Sequence, residues 1–162
     1  MRWIAFFFAA MLGTTGGPAI ADDVAADLVF VDKSDRRLEL RRNGRVIGSY
    51  EISLGGDPDG PKRQEGDERT PEGSYIIDFR KPDSAYHLSL HISYPNDSDR
   101  LLSAALGVPP GGDIFIHGLP NAYPFDSAPK IDWTLGCIAV DNAEIEEIWR
   151  LVPDGTPILI VP

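Results

Sequence analysis

The chain is short of cysteine, methionine, histidine and positive charge. Its 162 residues include one cysteine, two methionines and three histidines. A single thiol, Cys137, excludes an intramolecular disulfide, so the fold is not a disulfide scaffold and the thiol needs another explanation. No His, Cys or Asp grouping has zinc-ligand spacing, so no metal is expected, and no cofactor is implied. Lys and Arg number 15 against 25 Asp and Glu, for a formal net charge of −10. A chain this acidic is a poor match for a polyanion, so nucleic acid is not an expected partner. There is no internal repeat, no low-complexity tract and no evident linker. The sequence leaves the oligomeric state open.

One stretch near the start differs from the rest. Arg2, an apolar run over residues 3–12 and Ala19-Ile20-Ala21 read as a secretory leader with an A-x-A cleavage site. The run is too short to span a bilayer, which disfavours a membrane anchor. The expected organisation is a signal peptide over residues 1–21 and one domain over residues 22–162. No transmembrane segment should remain after cleavage. An exported free thiol is exposed to oxidants, which makes it worth flagging as reactive.

The domain reads as sheet-rich. Residues 27–31 and 37–41 are apolar or alternating, as strands are. Asn43-Gly44 is a strong hairpin signal because both central residues of a type I′ turn need positive φ. Residues 45–54 return as its partner. Residues 55–73 are punctuated by Gly and Pro, which forbids a helix or a continuous strand. A connection this long is functional or disordered. Strands are expected over residues 74–79 and 87–94. In the second, Leu88, Leu90 and Ile92 share one face, leaving His87 and His91 on the other as surface residues. A short helix capped near Asp97 or Ser98 should stop at Gly107, and residues 113–117 should form a buried strand. Residues 119–133 hold three prolines and suggest a loop beside a cleft. Within it Tyr123, Phe125 and Trp133 line the cleft or serve as packing anchors, and packing is favoured for Trp133. Asp141 with Glu144 approaches a capping box, and Ile145, Ile148, Trp149 and Val152 recur at helical spacing. Residues 157–161 are a last strand. The expectation is one sheet-rich domain with two short helices.

Two residues stand out chemically. Cys137 follows Gly136 and opens the apolar run Ile138-Ala139-Val140, while Ile114-Phe115-Ile116 delivers His117-Gly118. A thiolate is the reactive nucleophile, and a neighbouring imidazole is the usual means of making it at neutral pH. Taken alone, a lone Cys is as well explained as a small core hydrophobe, and a lone His as a satisfied core polar group.

Three stretches in order resemble the catalytic domain of the L,D-transpeptidases, the YkuD type. They are Gly55-x-x-Pro58-x-Gly60-Pro61-Lys62 continuing to Gly66-Asp67-x-x-Thr70-Pro71-x-Gly73-x-Tyr75, then Ile116-His117-Gly118, then Thr134-x-Gly136-Cys137-Ile138. Together they span nearly the whole expected domain, residues 27–162. The resemblance implies a mainly β, single β-sandwich-like catalytic domain in a bacterial envelope enzyme. It implies a periplasmic protein acting on peptidoglycan stem peptides. Carried over, Cys137 is the nucleophile, His117 its base, and the main-chain carbonyl of Gly118 holds the imidazole. Backbone N–H groups of Leu135, Gly136 and Cys137 face the oxyanion. Thr134, with Tyr94 and Asn96 at the end of an earlier strand, are the expected substrate-binding residues.

The implied reaction attacks the diamino acid to D-alanine amide of a tetrapeptide stem. An amine then resolves the thioester into a 3→3 cross-link, or water completes an L,D-carboxypeptidase reaction. One departure is evident: many family members carry arginine two positions after the cysteine, where this chain has Ala139. Arg63, Arg69 and Lys130 are the loop cations that could replace it. Related domains without the arginine include a hydrolase branch, so a peptidoglycan amidase using the same Cys/His pair is the nearest alternative. A non-catalytic cell-wall-binding module is the alternative from another class.

Overall fold

The computed structural model describes residues 25–162 apart from residue 126. The leader expected over residues 1–21 therefore lies outside the described residues.

Alternating burial builds the first strands. β1 (Leu28–Asp32) pairs antiparallel with β2 (Arg37–Arg42), and β2 with β3 (Arg45–Glu51). Asn43 and Gly44 sit between them with φ of 49° and 74°, as the hairpin reading requires. Val29, Val31, Leu38 and Leu40 point inward and are fully buried.

The remaining strands are β4 (Gly73–Ser84), β5 (His87–Ile92), β6 (Phe115–His117), β7 (Ile138–Ala139) and β8 (Pro157–Val161). They complete one eight-stranded sheet in the order β3-β2-β1-β8-β4-β5-β6-β7. The last strand of the chain lies inside the sheet, parallel to β1 and antiparallel to β4. β4 runs past the expected residue 79 to Ser84, with register irregularities between Ile77 and Phe79 and between Lys81 and Ser84. Such irregularities let a strand carry Pro82 and bend. After β3 the chain folds back on the opposite edge: Ser53 bridges to Ala139 and Gly55 to Thr134. The sheet thus curls around the core, and the β7 edge finds backbone partners in the segment after β3. The architecture is the mainly β domain with two short helices that the sequence led one to expect.

Both helices have clear physical boundaries. α1 (Asp97–Leu106) is capped one residue earlier than expected, by Asn96. Asn96 Oδ1 accepts from the Asp99 N–H at 3.1 Å, and Asp99 accepts in return from the Asn96 N–H at 2.9 Å. Gly107 ends the helix in the left-handed region at φ 71°. α2 (Asn142–Leu151) follows Asp141, whose N–H donates to Glu144 at 2.9 Å. It buries Ile145, Ile148 and Leu151 against the sheet. Each fully buried Ile stabilises the fold by roughly 1.5–3 kcal/mol. Trp149 is only partly buried at the core margin, with the Arg80 guanidinium 5.1 Å from its ring.

Candidate active site

The long punctuated segment, residues 55–73, is an ordered support rather than a cover. Lys33, which is buried, ties it down by donating to Gly60 O at 2.7 Å, Thr70 O at 3.1 Å and Glu72 Oε1 at 2.7 Å. Lys62 is also buried and pairs with Asp67 at 2.7 Å while donating to Gln64 O at 3.0 Å. The segment packs against the turn carrying the cysteine. Gly56 N–H donates to Thr134 O at 3.0 Å. Gly136 sits at φ +123°, and a Cβ there would come 2.6 Å from Arg69 O, so only glycine fits.

Within that turn Thr134 is the organising side chain. Its Oγ1 accepts from the Gly136 N–H at 3.1 Å and donates to the Cys137 carbonyl at 2.7 Å. Thr134 is buried, so its hydroxyl acts as a brace for the backbone. This corrects one expectation: the Gly136 N–H already has a partner. Leu135, 76 % exposed, stands at the outer lip of the same turn.

His117 is brought to Cys137 by the sheet. β6 and β7 run parallel with His117 opposite Ala139, and Cys137, two residues before Ala139, comes onto the same face. Both line one cleft of about 440 Å³. The imidazole Nδ1 lies 2.6 Å from Gly118 O. That contact requires Nδ1 to carry the proton and donate it, which leaves Nε2 as the free basic nitrogen. The Gly118 N–H donates to Tyr86 O and Leu88 O, both at 3.2 Å. The next amide, Leu119 N–H, donates to Asn142 Oδ1 at 2.8 Å at the start of α2. The ring is flanked by Tyr86, with centroids 4.6 Å apart, and by Trp133 at 5.8 Å edge-on.

Electrostatics favour neutral groups. Burial holds His117 below its ordinary 6.5, with the Gly118 bond opposing. Burial also pushes the Cys137 thiol above its ordinary 9.0. A hydrogen bond from the Phe115 backbone pulls Cys137 down, Asp113 pushes it up, and Lys62 lowers it. In the free protein the thiol donates to Asp113 O at 3.5 Å.

Not every expected residue reaches the cleft. Tyr94 is buried in the core, its hydroxyl donating to Pro110 O at 2.9 Å and its ring edge-on to Tyr75. It shares strand parity with Leu90 and Ile92, so it points inward. Asn96 is occupied as the α1 cap. Neither lines the cleft. His87 and His91 lie elsewhere, bonded to Glu146 at 2.7 Å and Asp78 at 2.6 Å. Trp133 lines the cleft as well as packing, whereas Tyr123 and Phe125 pair with each other outside it. Arg69 is paired with Asp57 and Lys130 with Glu51, and with Arg63 they stay outside the cleft. The residues missed from sequence are Tyr86, Asp113 and Lys81, all in the lining. Only Lys81 is on a strand, β4; Tyr86 is in the turn between β4 and β5 and Asp113 in the segment entering β6, so their sole sequence signal was nearness to strands that the fold brings beside His117. Among the described residues no group of three or more His, Cys, Asp or Glu side chains is placed to hold a metal ion. Among them, too, no helix is long and apolar enough to cross a membrane.

With this geometry in view, the chain can be set beside known proteins. The YkuD profile, described as the L,D-transpeptidase catalytic domain, matches residues 26–160. The Escherichia coli K12 protein named "Putative L,D-transpeptidase YafK" is 29% identical over 130 residues, covering 76% of this chain and 46% of that protein. The solved structure of the helical cell shape determining protein Pgp2 from Campylobacter jejuni superposes with a TM-score of 0.66 at 27% identity. That match covers 82% of this chain and 46% of Pgp2. An L,D-transpeptidase structure from Xylanimonas cellulosilytica shares the fold, with a TM-score of 0.55 at 19% identity over 85% of this chain and 61% of that one. The chain thus spans about half the length of YafK and of Pgp2.

Proposed function

The chain belongs to the L,D-transpeptidase catalytic domain family, and on that premise we propose that it is a cysteine acyltransferase acting on peptidoglycan stem peptides outside the cytoplasm, in the periplasm. The observation that carries this reading is the shared cleft: the Cys137 thiol and an imidazole held at Nδ1 by Gly118 O line the same cavity. Cys137 Sγ attacks the carbonyl between the diamino acid and the terminal D-alanine, and His117 Nε2 takes the thiol proton. The Leu135 and Cys137 amides of the braced turn face the oxyanion. Thr134 contributes by holding that turn. The imidazolium returns its proton to the departing D-alanine amine, leaving a thioester on Cys137. An amine from a second stem forms the 3→3 cross-link, while water gives the L,D-carboxypeptidase product.

Hydrolysis is a second reading with an observation of its own. Ala139, where the family often has arginine, is fully buried between β6 and the Ser53 bridge, so no cation stands there. Incubation with purified muropeptides and mass analysis of the products separates the two. Dimers joined through two diamino acids mark transfer; freed D-alanine or shortened peptides alone mark hydrolysis. Cys137→Ala abolishes both. Wall binding that survives that substitution, with no turnover in the parent protein, would leave a non-catalytic module.

A further inference from the structure

Lys81 has an unusual position among the cations of this protein. The chain's other three lysines are each tied to a carboxylate: Lys33 to Glu72 at 2.7 Å, Lys62 to Asp67 at 2.7 Å, and Lys130 to Glu51 at 2.8 Å. Among the described residues Lys81 makes no ion pair or side-chain hydrogen bond. It is exposed, and among the described residues it is the only Lys or Arg lining the cleft that holds Cys137 and His117.

The sheet register fixes where it stands. Lys81 is opposite Ser89 on β5, and Ser89 is opposite His117 on β6. Residues opposite one another across neighbouring strands share a face. Lys81, Ser89 and His117 therefore form one row across the cleft floor, with Lys81 two strand spacings, about 10 Å, from the histidine backbone. Among the described residues the one carboxylate in the lining, Asp113, belongs to the segment entering β6 and lies on the cysteine side, where its charge acts on Cys137.

We propose that Lys81 is the carboxylate anchor of the cleft, seating an anionic group of the donor peptide so that its scissile amide meets Cys137. This rests on the acyl-transfer reading above. An unpaired ammonium at one end of a groove, on a protein of net charge −10, is completed by an anionic ligand. Two carboxylates of a tetrapeptide donor have the right chemistry: that of the terminal D-alanine, and the distal one of a diamino acid that carries it. Lys81 is a specificity residue and takes no part in bond making.

The test uses four donor tetrapeptides with the parent protein, Lys81→Gln and Lys81→Arg. The donors end in a free acid or an amide, and carry either diaminopimelate or lysine at position three. The expected result is a KM raised about tenfold by Lys81→Gln with kcat little changed, largely restored by Lys81→Arg. The effect disappears on the donor lacking the recognised carboxylate, which identifies its source. Alkylation of Cys137 by neutral iodoacetamide stays unchanged, showing an intact site. Equal KM values for parent and Lys81→Gln on every donor overturn the anchor. A parent protein inert toward all four donors overturns the acyl-transfer reading instead. Lys81 is then judged by titrating the free-acid diaminopimelate tetrapeptide into Cys137→Ala with and without Lys81→Gln, and equal affinities overturn the anchor there too.

Discussion

His117 Nδ1 lies 2.6 Å from the carbonyl oxygen of Gly118, the very next residue. The bond fixes the tautomer and the ring direction together. Its geometry depends on a glycine: a Cβ at position 118 would sit 2.6 Å from Asn142 Oδ1 and 2.9 Å from Ile145 Cγ2. Gly118→Ala should force the carbonyl aside and lower kcat by at least about tenfold. Peptide turnover measured beside far-UV dichroism checks this; a folded Gly118→Ala enzyme with parental kcat would show that the carbonyl does not orient the ring.

Thr134 bridges two backbone groups of the cysteine turn through one hydroxyl. Thr134→Val keeps the shape and removes both bonds. Leaving the buried Gly136 N–H unsatisfied should cost about 1–3 kcal/mol, read as a lower urea midpoint. If the Leu135 and Cys137 amides of the same turn hold the oxyanion as proposed, activity should fall further than stability. Thr134→Ser should recover most of both.

Both members of the thiol and imidazole pair are shifted toward neutrality, His117 below 6.5 and Cys137 above 9.0. The resting pair at pH 7 is then thiol plus imidazole, not thiolate plus imidazolium. Iodoacetamide alkylation of Cys137 should keep climbing past pH 9.0. A plateau already reached near pH 7 would contradict a neutral pair. The His117 shift also has a stability consequence. The unfolded chain takes up the proton first, so the contribution is present above pH 6.5 and is lost as pH falls below it toward the folded-state value.

The Lys62–Asp67 pair is enclosed, with side-chain exposures of 3% and 10%. Burial pushes Asp67 upward, but N–H donors from Arg63, Gln64 and Arg69 and the Lys62 ammonium outweigh it, so its carboxyl titrates below the ordinary 3.8. Its stabilisation is present above pH 3.8 and lost as pH drops through the lower folded-state value. Lys62→Met should cost about 3–5 kcal/mol by leaving a buried charge unpaired, measured by chemical denaturation at neutral pH. The loss should shrink in acid, and a pH-independent difference would point to packing alone.

Local chemistry was legible in the sequence, and long-range neighbours were not. The Asn43-Gly44 turn, the α2 cap and the strand ends near Cys137 and His117 follow from residues within a few positions. Their meeting in one cleft followed only from the resemblance, because β6 ends at His117 and β7 begins only at Ile138. Tyr94 and Asn96 were misplaced for a related reason. Each satisfies a local rule, strand parity for Tyr94 and helix capping for Asn96, and those rules commit the side chains inward and to the backbone. Lys81 was invisible because β4 was expected to end at residue 79, and a strand that stops there never brings residue 81 opposite Ser89.

The seating of β8 between β1 and β4 has a consequence for how the molecule comes into being. Apart from the Ser53–Ala139 and Gly55–Thr134 bridges, the sheet's two halves share no hydrogen-bonded strand pair until Pro157–Val161 arrives. Synthesis therefore delivers β8 after the other strands of this sheet, and the earlier segments must wait with open flanks until it slots in. A chain cut short before that strand would leave an incomplete, association-prone intermediate rather than a smaller domain.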